Sequence, residues 1–151
     1  MFSIKKGDLF NAFPEVDTIG HGCNCFGTMS AGIALEFEKF YPENFQIYKD
    51  LCMKKEFKLG SVLFYQSKDK RKPNVLNLGT QFLPGKDAKL ELIEKCCDKI
   101  LLHYQMWGVK KLGMPKIGAG IGGLEWEDVE KLLRKKFENE KELEVIVYVR
   151  D

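Results

Sequence analysis

Apolar and polar positions along the chain alternate between two periods. Phe2 to Lys6 reads as a first strand, closed by a turn at Gly7-Asp8, and Asp17 to Cys23 reads as a short buried strand. Ile33, Ala34, Phe37, Phe40 and Tyr41 then recur at helical spacing. A further helix is predicted over Glu43 to Lys54, with Phe45, Tyr48, Leu51 and Cys52 on one side. Ser61 to Gln66 and Asn74 to Gly79 are strand-like, separated by the charged, proline-ended stretch Lys68 to Pro73, which reads as an exposed turn. Leu90, Ile93, Cys97, Ile100, Leu101 and Tyr104 mark one face of a long helix over Asp87 to Tyr104, with Asp87 as its expected N-cap. A strand over Lys111 to Met114 enters a glycine-rich loop. A helix with Trp126, Val129, Leu132, Leu133 and Phe137 on one face follows, and Glu144 to Val149 ends the pattern as a buried strand. Strands that alternate with helices predict an α/β fold with a largely parallel sheet, whose ligands sit beyond the carboxyl ends of the strands.

Composition narrows this picture without redirecting it. With 151 residues, the chain is the size of one domain, expected to span 1–151. Its 24 basic and 22 acidic residues leave a formal charge of +2, so any contact with a polyanion has to be local. No apolar run approaches the ~20 residues that span a bilayer, and MFSIKKGDLF lacks the apolar core of a signal peptide. Five cysteines, with Cys96 and Cys97 adjacent, form an odd set that fits reduced thiols in a cytoplasmic setting better than a disulfide framework.

Chemistry concentrates in two loops that follow strands. In Pro115-Lys-Ile-Gly-Ala-Gly-Ile-Gly-Gly-Leu-Glu-Trp126, closely spaced glycines let backbone amides approach an anion, and a helix starting near Glu125 would aim its positive end at the same place. Gly118-x-Gly120-x-x-Gly123 formally fits a dinucleotide fingerprint. That fingerprint belongs in a first βα unit with an acidic residue ~20 positions later, and here only one helix and one strand remain. The loop also lacks the Gly-Lys-Ser/Thr ending of a nucleotide-triphosphate loop. A tight turn that only redirects the chain is the competing reading.

The second loop runs from Gly20-His21-Gly22-Cys23-Asn24-Cys25 to Met29-Ser-Ala-Gly-Ile-Ala34. In an extended strand His21, Cys23 and Cys25 share a face and would offer three zinc ligands. The spacing is unlike structural zinc sites, however, and no fourth ligand is evident, so no metal is expected. Cys23 or Cys25 as nucleophile lacks an orienting acid. His21 also fits a hydrogen-bonded core histidine, and Asn24 and Asp8 also fit turn caps.

Three motifs in order, Gly7-Asp-Leu-Phe10, His21-Gly-Cys-Asn-Cys25 with Met29-Ser-Ala-Gly-Ile-Ala34, and Met114 to Trp126, resemble the macrodomain family of ADP-ribose-binding modules over nearly the whole chain. The resemblance is to a divergent branch that includes a fungal ADP-ribose 1″-phosphate phosphatase, the terminal ADP-ribose protein glycohydrolase and an antitoxin acting on ADP-ribosylated DNA. It implies a three-layer α/β/α sandwich with a mixed, largely parallel central sheet, and no cofactor is expected. It also implies that Asp8, with the Leu9 backbone beside it, receives the adenine amino group, and that Tyr148 lines the adenine pocket. Ala31, Gly32 and Ile33 would bring backbone to one phosphate. Gly118, Ala119, Gly120, Ile121 and Gly122 would enclose the other phosphate and the distal ribose, which Asn24 would face.

The same resemblance shows departures. The two ADP-ribosyl-removing relatives use a lysine where this chain reads Gly79-Thr-Gln81-Phe82, and Gln81 cannot form a Schiff base. Gly122 stands where the glycohydrolase carries an aspartate, and Ser30-Ala31 where widespread macrodomains carry an Asp. The expected activity is therefore hydrolysis of the terminal phosphate of ADP-ribose 1″-phosphate. His21 would protonate the leaving oxygen or orient water, and Asn24 would position the ribose. The alternatives are a non-catalytic module for ADP-ribose or ADP-ribosylated partners, and a hydrolase that removes ADP-ribose from protein or nucleic acid.

Overall fold

The computed structural model describes residues 1–29 and 32–150. Strands β1 (Phe2–Lys6), β2 (Thr18–Asn24), β3 (Val62–Tyr65), β4 (Asn74–Gln81), β5 (Lys111–Met114) and β6 (Glu144–Val149) form one sheet in the order β1-β6-β5-β2-β4-β3. Every pairing is parallel except that of the edge strand β3 with β4. The mixed, largely parallel sheet expected from the sequence is present. The helices are α1 (Gly32–Phe40), α2 (Pro42–Met53), α3 (Leu90–Trp107) and α4 (Trp126–Phe137), with single 3-10 turns at Leu9–Asn11 and Gly120–Gly122.

Two apolar layers explain the sandwich. Strand alternation sends Leu76, Leu78, Leu112, Met114, Val145 and Val147 to one face, where they pack against α3 and α4. Ile19, Cys23, Val75, Ile146 and Tyr148 face the other way, onto α1, α2 and the first 3-10 turn. Because five strands run parallel, their carboxyl ends and the loops that follow them gather along one edge of the sheet. That geometry makes the edge a binding edge.

Two local expectations are corrected. Asp87 does not cap α3, whose N-cap is Lys89. Its carboxylate instead accepts the Phe82 and Leu83 amides at 3.1 and 2.9 Å, closing the turn after β4. Strand β4 also runs two residues beyond Gly79, to Gln81, which carries Thr80 and Gln81 to the binding edge. Among the described residues no helix is long and apolar enough to cross a membrane.

Candidate functional site

A groove of about 320 Å³ opens at this edge between the loops after β2, β4 and β5. One wall is the first turn of α1, with Gly32, Ile33 and Ala34; the opposite wall is Pro115 to Ala119 with Ile121 and Gly122. Asn24, Thr28, Thr80, Gln81 and Gly85 close one end. The first amides of a helix have no intrahelical acceptor, and their dipole favours an anion. Gly32 holds φ +60°, and a β-carbon placed there would sit 2.8 Å from Ile121 Cδ1. Ile121 therefore arches from the second loop to the first across the groove. Gly118, at φ +73°, is pressed against Ile93 and Leu124, where a β-carbon would stand 2.7 and 3.0 Å away. The second loop can lie this close to the core only with glycine at that position.

Seven of the residues anticipated from the sequence meet in this groove: Asn24, Gly32, Ile33, Gly118, Ala119, Ile121 and Gly122. Gly120 belongs to the same loop but does not line the wall, and Ala31 lies outside the described residues. Asp8, Leu9 and Tyr148 form a separate cluster at the ends of β1 and β6. Asp8 accepts the Phe10 amide at 3.1 Å and pairs with Arg150 at 2.9 Å. Arg150 in turn reaches Glu36 of α1 at 2.9 Å, and its contact holds the Asp8 carboxyl below the usual carboxylate range. Leu9 is buried, and the Tyr148 hydroxyl donates to Glu15 at 3.0 Å.

His21 is not a groove residue, which corrects the proton-donor role expected from the sequence. It is fully buried in β2, its ring stacked on Phe37 at 3.8 Å with a 5° interplanar angle. Nε2 lies 2.9 Å from Asn77 Oδ1. The Asn77 Nδ2 donates to the Leu63 carbonyl at 3.2 Å and to Asn44 Oδ1 at 2.8 Å, so its oxygen faces the imidazole and Nε2 carries the proton. Burial lowers the His21 pKa to about 4, opposed in part by the Asn77 bond. The ring is neutral near pH 7 and shielded from any ligand in the groove.

Asn24 does line the groove: strand alternation sets it on the face opposite Ile19, His21 and Cys23, and a register shift that leaves Thr80 of β4 as the extra residue pairs it with Gln81. Its side chain organises its own loop. Oδ1 accepts the amides of Phe26 and Gly27 at 3.0 Å and of Thr28 at 3.3 Å, while Nδ2 donates to the Thr28 carbonyl at 2.9 Å. The Tyr48 hydroxyl of α2 ties this arrangement down, donating to the Asn24 carbonyl at 2.7 Å. Asn24 thus acts by setting the loop backbone.

The second glycine loop reaches the groove without α4, since its contribution ends at Gly122 and α4 begins four residues later. The helix that faces the ligand space is α1. Lys116 lines the wall with its ammonium 5.7 Å above the Trp126 ring. Apart from Cys23, whose thiol burial pushes up well above its ordinary value, Lys116 is the one ionisable side chain among the described lining residues. Gln81 is the residue that sequence reasoning undervalued: Nε2 donates to the Leu83 and Gly85 carbonyls at 2.6 and 2.8 Å, fixing the turn at the groove's end. No cluster of three metal-ligating side chains occurs among the described residues.

Residues 21–133 match the Macro domain family. The DNA ADP-ribosyl glycohydrolase of Mycobacterium tuberculosis is 28% identical over 149 residues, which cover 98% of this chain and 42% of that protein. The chain thus spans about two fifths of the length of that relative. The ADP-ribose 1″-phosphate phosphatase of Meyerozyma guilliermondii is 30% identical over 86% of this chain and 90% of its own length. Among solved structures, the macrodomain of Mycobacterium tuberculosis DarG superposes with a TM-score of 0.89 at 28% identity, covering 98% of this chain and 97% of that one.

Proposed function

Because the chain belongs to the Macro domain family, we propose that its groove binds ADP-ribose, with the diphosphate between the first turn of α1 and Gly118–Gly122. The observation that carries this reading is the arch of Ile121 over Gly32, which leaves a channel walled by backbone amides and, among the described residues, by no carboxylate. Adenine then lies toward Asp8, whose partner Arg150 is anchored to α1 through Glu36. The distal ribose lies toward Asn24 and Gln81 at the opposite end. Calorimetry should give 1:1 binding of ADP-ribose with a micromolar dissociation constant, and ADP should bind at least tenfold more weakly because it leaves that end empty. Absence of heat with ADP-ribose removes the reading.

The same site is proposed to release phosphate from ADP-ribose 1″-phosphate, the reaction in the name of the Meyerozyma relative. Loop amides and the Lys116 ammonium would carry charge stabilisation. The proton for the leaving oxygen would come from water, because the imidazole of His21 is enclosed. Phosphate release should therefore persist in His21→Phe and fall at least tenfold in Asn24→Ala, whose loop loses the acceptor of three backbone amides. A folded His21→Phe protein without turnover, beside an active wild type, would return the proton-donor role to the imidazole.

A further inference from the structure

We propose that the hollow adjoining the groove, of about 650 Å³ and lined by Phe26, Phe82, Leu59, Lys55 and Lys58 among others, holds an unstacked segment of single-stranded nucleic acid. The proposal extends the ADP-ribose reading of the groove, since a strand held here would present an ADP-ribosyl group to it.

Phe26 and Phe82 are 58% and 51% exposed, an uncommon placement for two large apolar rings side by side. Their centroids are 6.4 Å apart at 87°, an edge-to-face contact that uses at most one face of one ring, so with both rings more than half exposed, faces remain for a planar partner. Each directly follows, or nearly follows, a groove residue. Asn24 and Gln81 face the groove, while Cys25, Phe26 and Phe82 face the hollow. The two strand ends are joined here, with the Cys25 amide donating to the Gln81 carbonyl at 2.9 Å and to the Phe82 carbonyl at 3.2 Å. A substituent leaving the distal-ribose end of the groove therefore meets the aromatic pair first.

Charge completes the match. Lys55 and Lys58 line the hollow beyond α2, and among the described residues neither forms an ion pair. Lys55 holds φ +60° at the turn that ends α2, the one non-glycine residue with positive φ among the described residues. Two ammonium groups beside stackable rings suit a phosphodiester backbone with its bases turned out. An acidic peptide would meet the lysines but lacks flat faces for the rings, and a duplex keeps its bases stacked. With an overall charge of only +2, the attraction is local to this surface.

The test is fluorescence anisotropy of the full chain with a short labelled thymine oligonucleotide, its duplex form and polyglutamate, alongside ADP-ribose calorimetry. The single strand should bind, and the duplex and polyglutamate at least tenfold more weakly. Phe26→Ala and Phe82→Ala should each weaken strand binding about tenfold, in the range seen for loss of one base–aromatic stack, while ADP-ribose affinity stays within twofold. Joint replacement of Lys55 and Lys58 by alanine should reduce the salt slope by about 1.4, the value for two phosphate contacts on a single strand. Absence of strand binding, equal binding of duplex or polyglutamate, or unchanged binding in both phenylalanine variants overturns the proposal. Strand binding without ADP-ribose binding would remove the groove reading and leave this surface standing.

Discussion

Gly32→Val should weaken ADP-ribose binding by a hundredfold or more, about 2.8 kcal/mol. Two effects act at one position. Gly32 holds φ +60° at the first residue of α1, a conformation that costs an L-residue about 1–2 kcal/mol and a β-branched residue more. Its new side chain would also occupy the space under Ile121, where even a β-carbon lies 2.8 Å from Cδ1, so the arch must lift and the channel beneath it fills. A matched control separates strain from occlusion. Gly108 also holds a positive φ, 75°, at the end of α3, where a β-carbon meets nothing within 4 Å. Gly108→Val should therefore lower the thermal midpoint as Gly32→Val does yet leave ADP-ribose affinity within twofold. Similar affinity losses in the two variants would trace the effect to global strain and remove the special place of the arch.

The second large effect is on stability against acid. His21 has its folded-state pKa lowered from 6.5 to about 4 by burial, so between those values the unfolded chain binds the extra proton and the folded chain does not. Stability is then complete above pH 6.5 and falls as the pH drops toward 4, by about 2.5 kcal/mol at pH 4.5. Asp8, Glu15, Asp69 and Asp87 also have lowered pKa values and lose stabilising contacts on protonation, so the wild-type curve alone does not isolate the histidine. His21→Phe does. It keeps a ring against Phe37 and leaves Asn77 Oδ1 with Asn44 Nδ2 at 3.1 Å and the weaker Cys23 thiol donor at 3.9 Å. Urea unfolding at pH 7 should find the variant about 1 kcal/mol less stable, the worth of one hydrogen bond. At pH 4.5 the order should reverse, with the variant ahead by about 1.5 kcal/mol, because phenylalanine takes up no proton. Parallel stability curves for the two proteins would mean that His21 is not the buried neutral group described.

How much of this was legible in the sequence depends on the range of the forces involved. Periodicity placed the six strands and four helices, because the side chains that face each layer recur at 2 or 3.6 positions irrespective of distant partners. The two glycine loops were legible because glycine is required locally, as at Gly32 and Gly118. The resemblance then joined them into one groove. What failed depended on partners far along the chain. Alternation put His21 and Cys23 on one face, but only the packing of α1 through Phe37 made that face core. The amide pair of Asn44 and Asn77, separated by 33 positions, is invisible to any local pattern. Alternation sets Asn24 opposite His21 and Cys23, but the extra residue that faces it from β4, Thr80, has no local signal, and Asp87 closes a turn instead of capping α3 because both tasks recruit Asp at such positions. The exposed pair Phe26 and Phe82 had no signal beyond two aromatic residues just after strands, and their meeting required the β2–β4 register.

The arch also bears on time. Ile121 is 52% exposed, and exposed side chains change rotamer within picoseconds to nanoseconds. Its crossing of the channel is therefore far too brief an obstruction to slow the arrival of a ligand. Once a diphosphate is seated, the same side chain adds apolar contact that must be broken before departure. Trimming it should leave the association rate nearly unchanged and shorten the residence of the bound molecule: the arch sets how long a ligand stays, and has little part in how fast it comes.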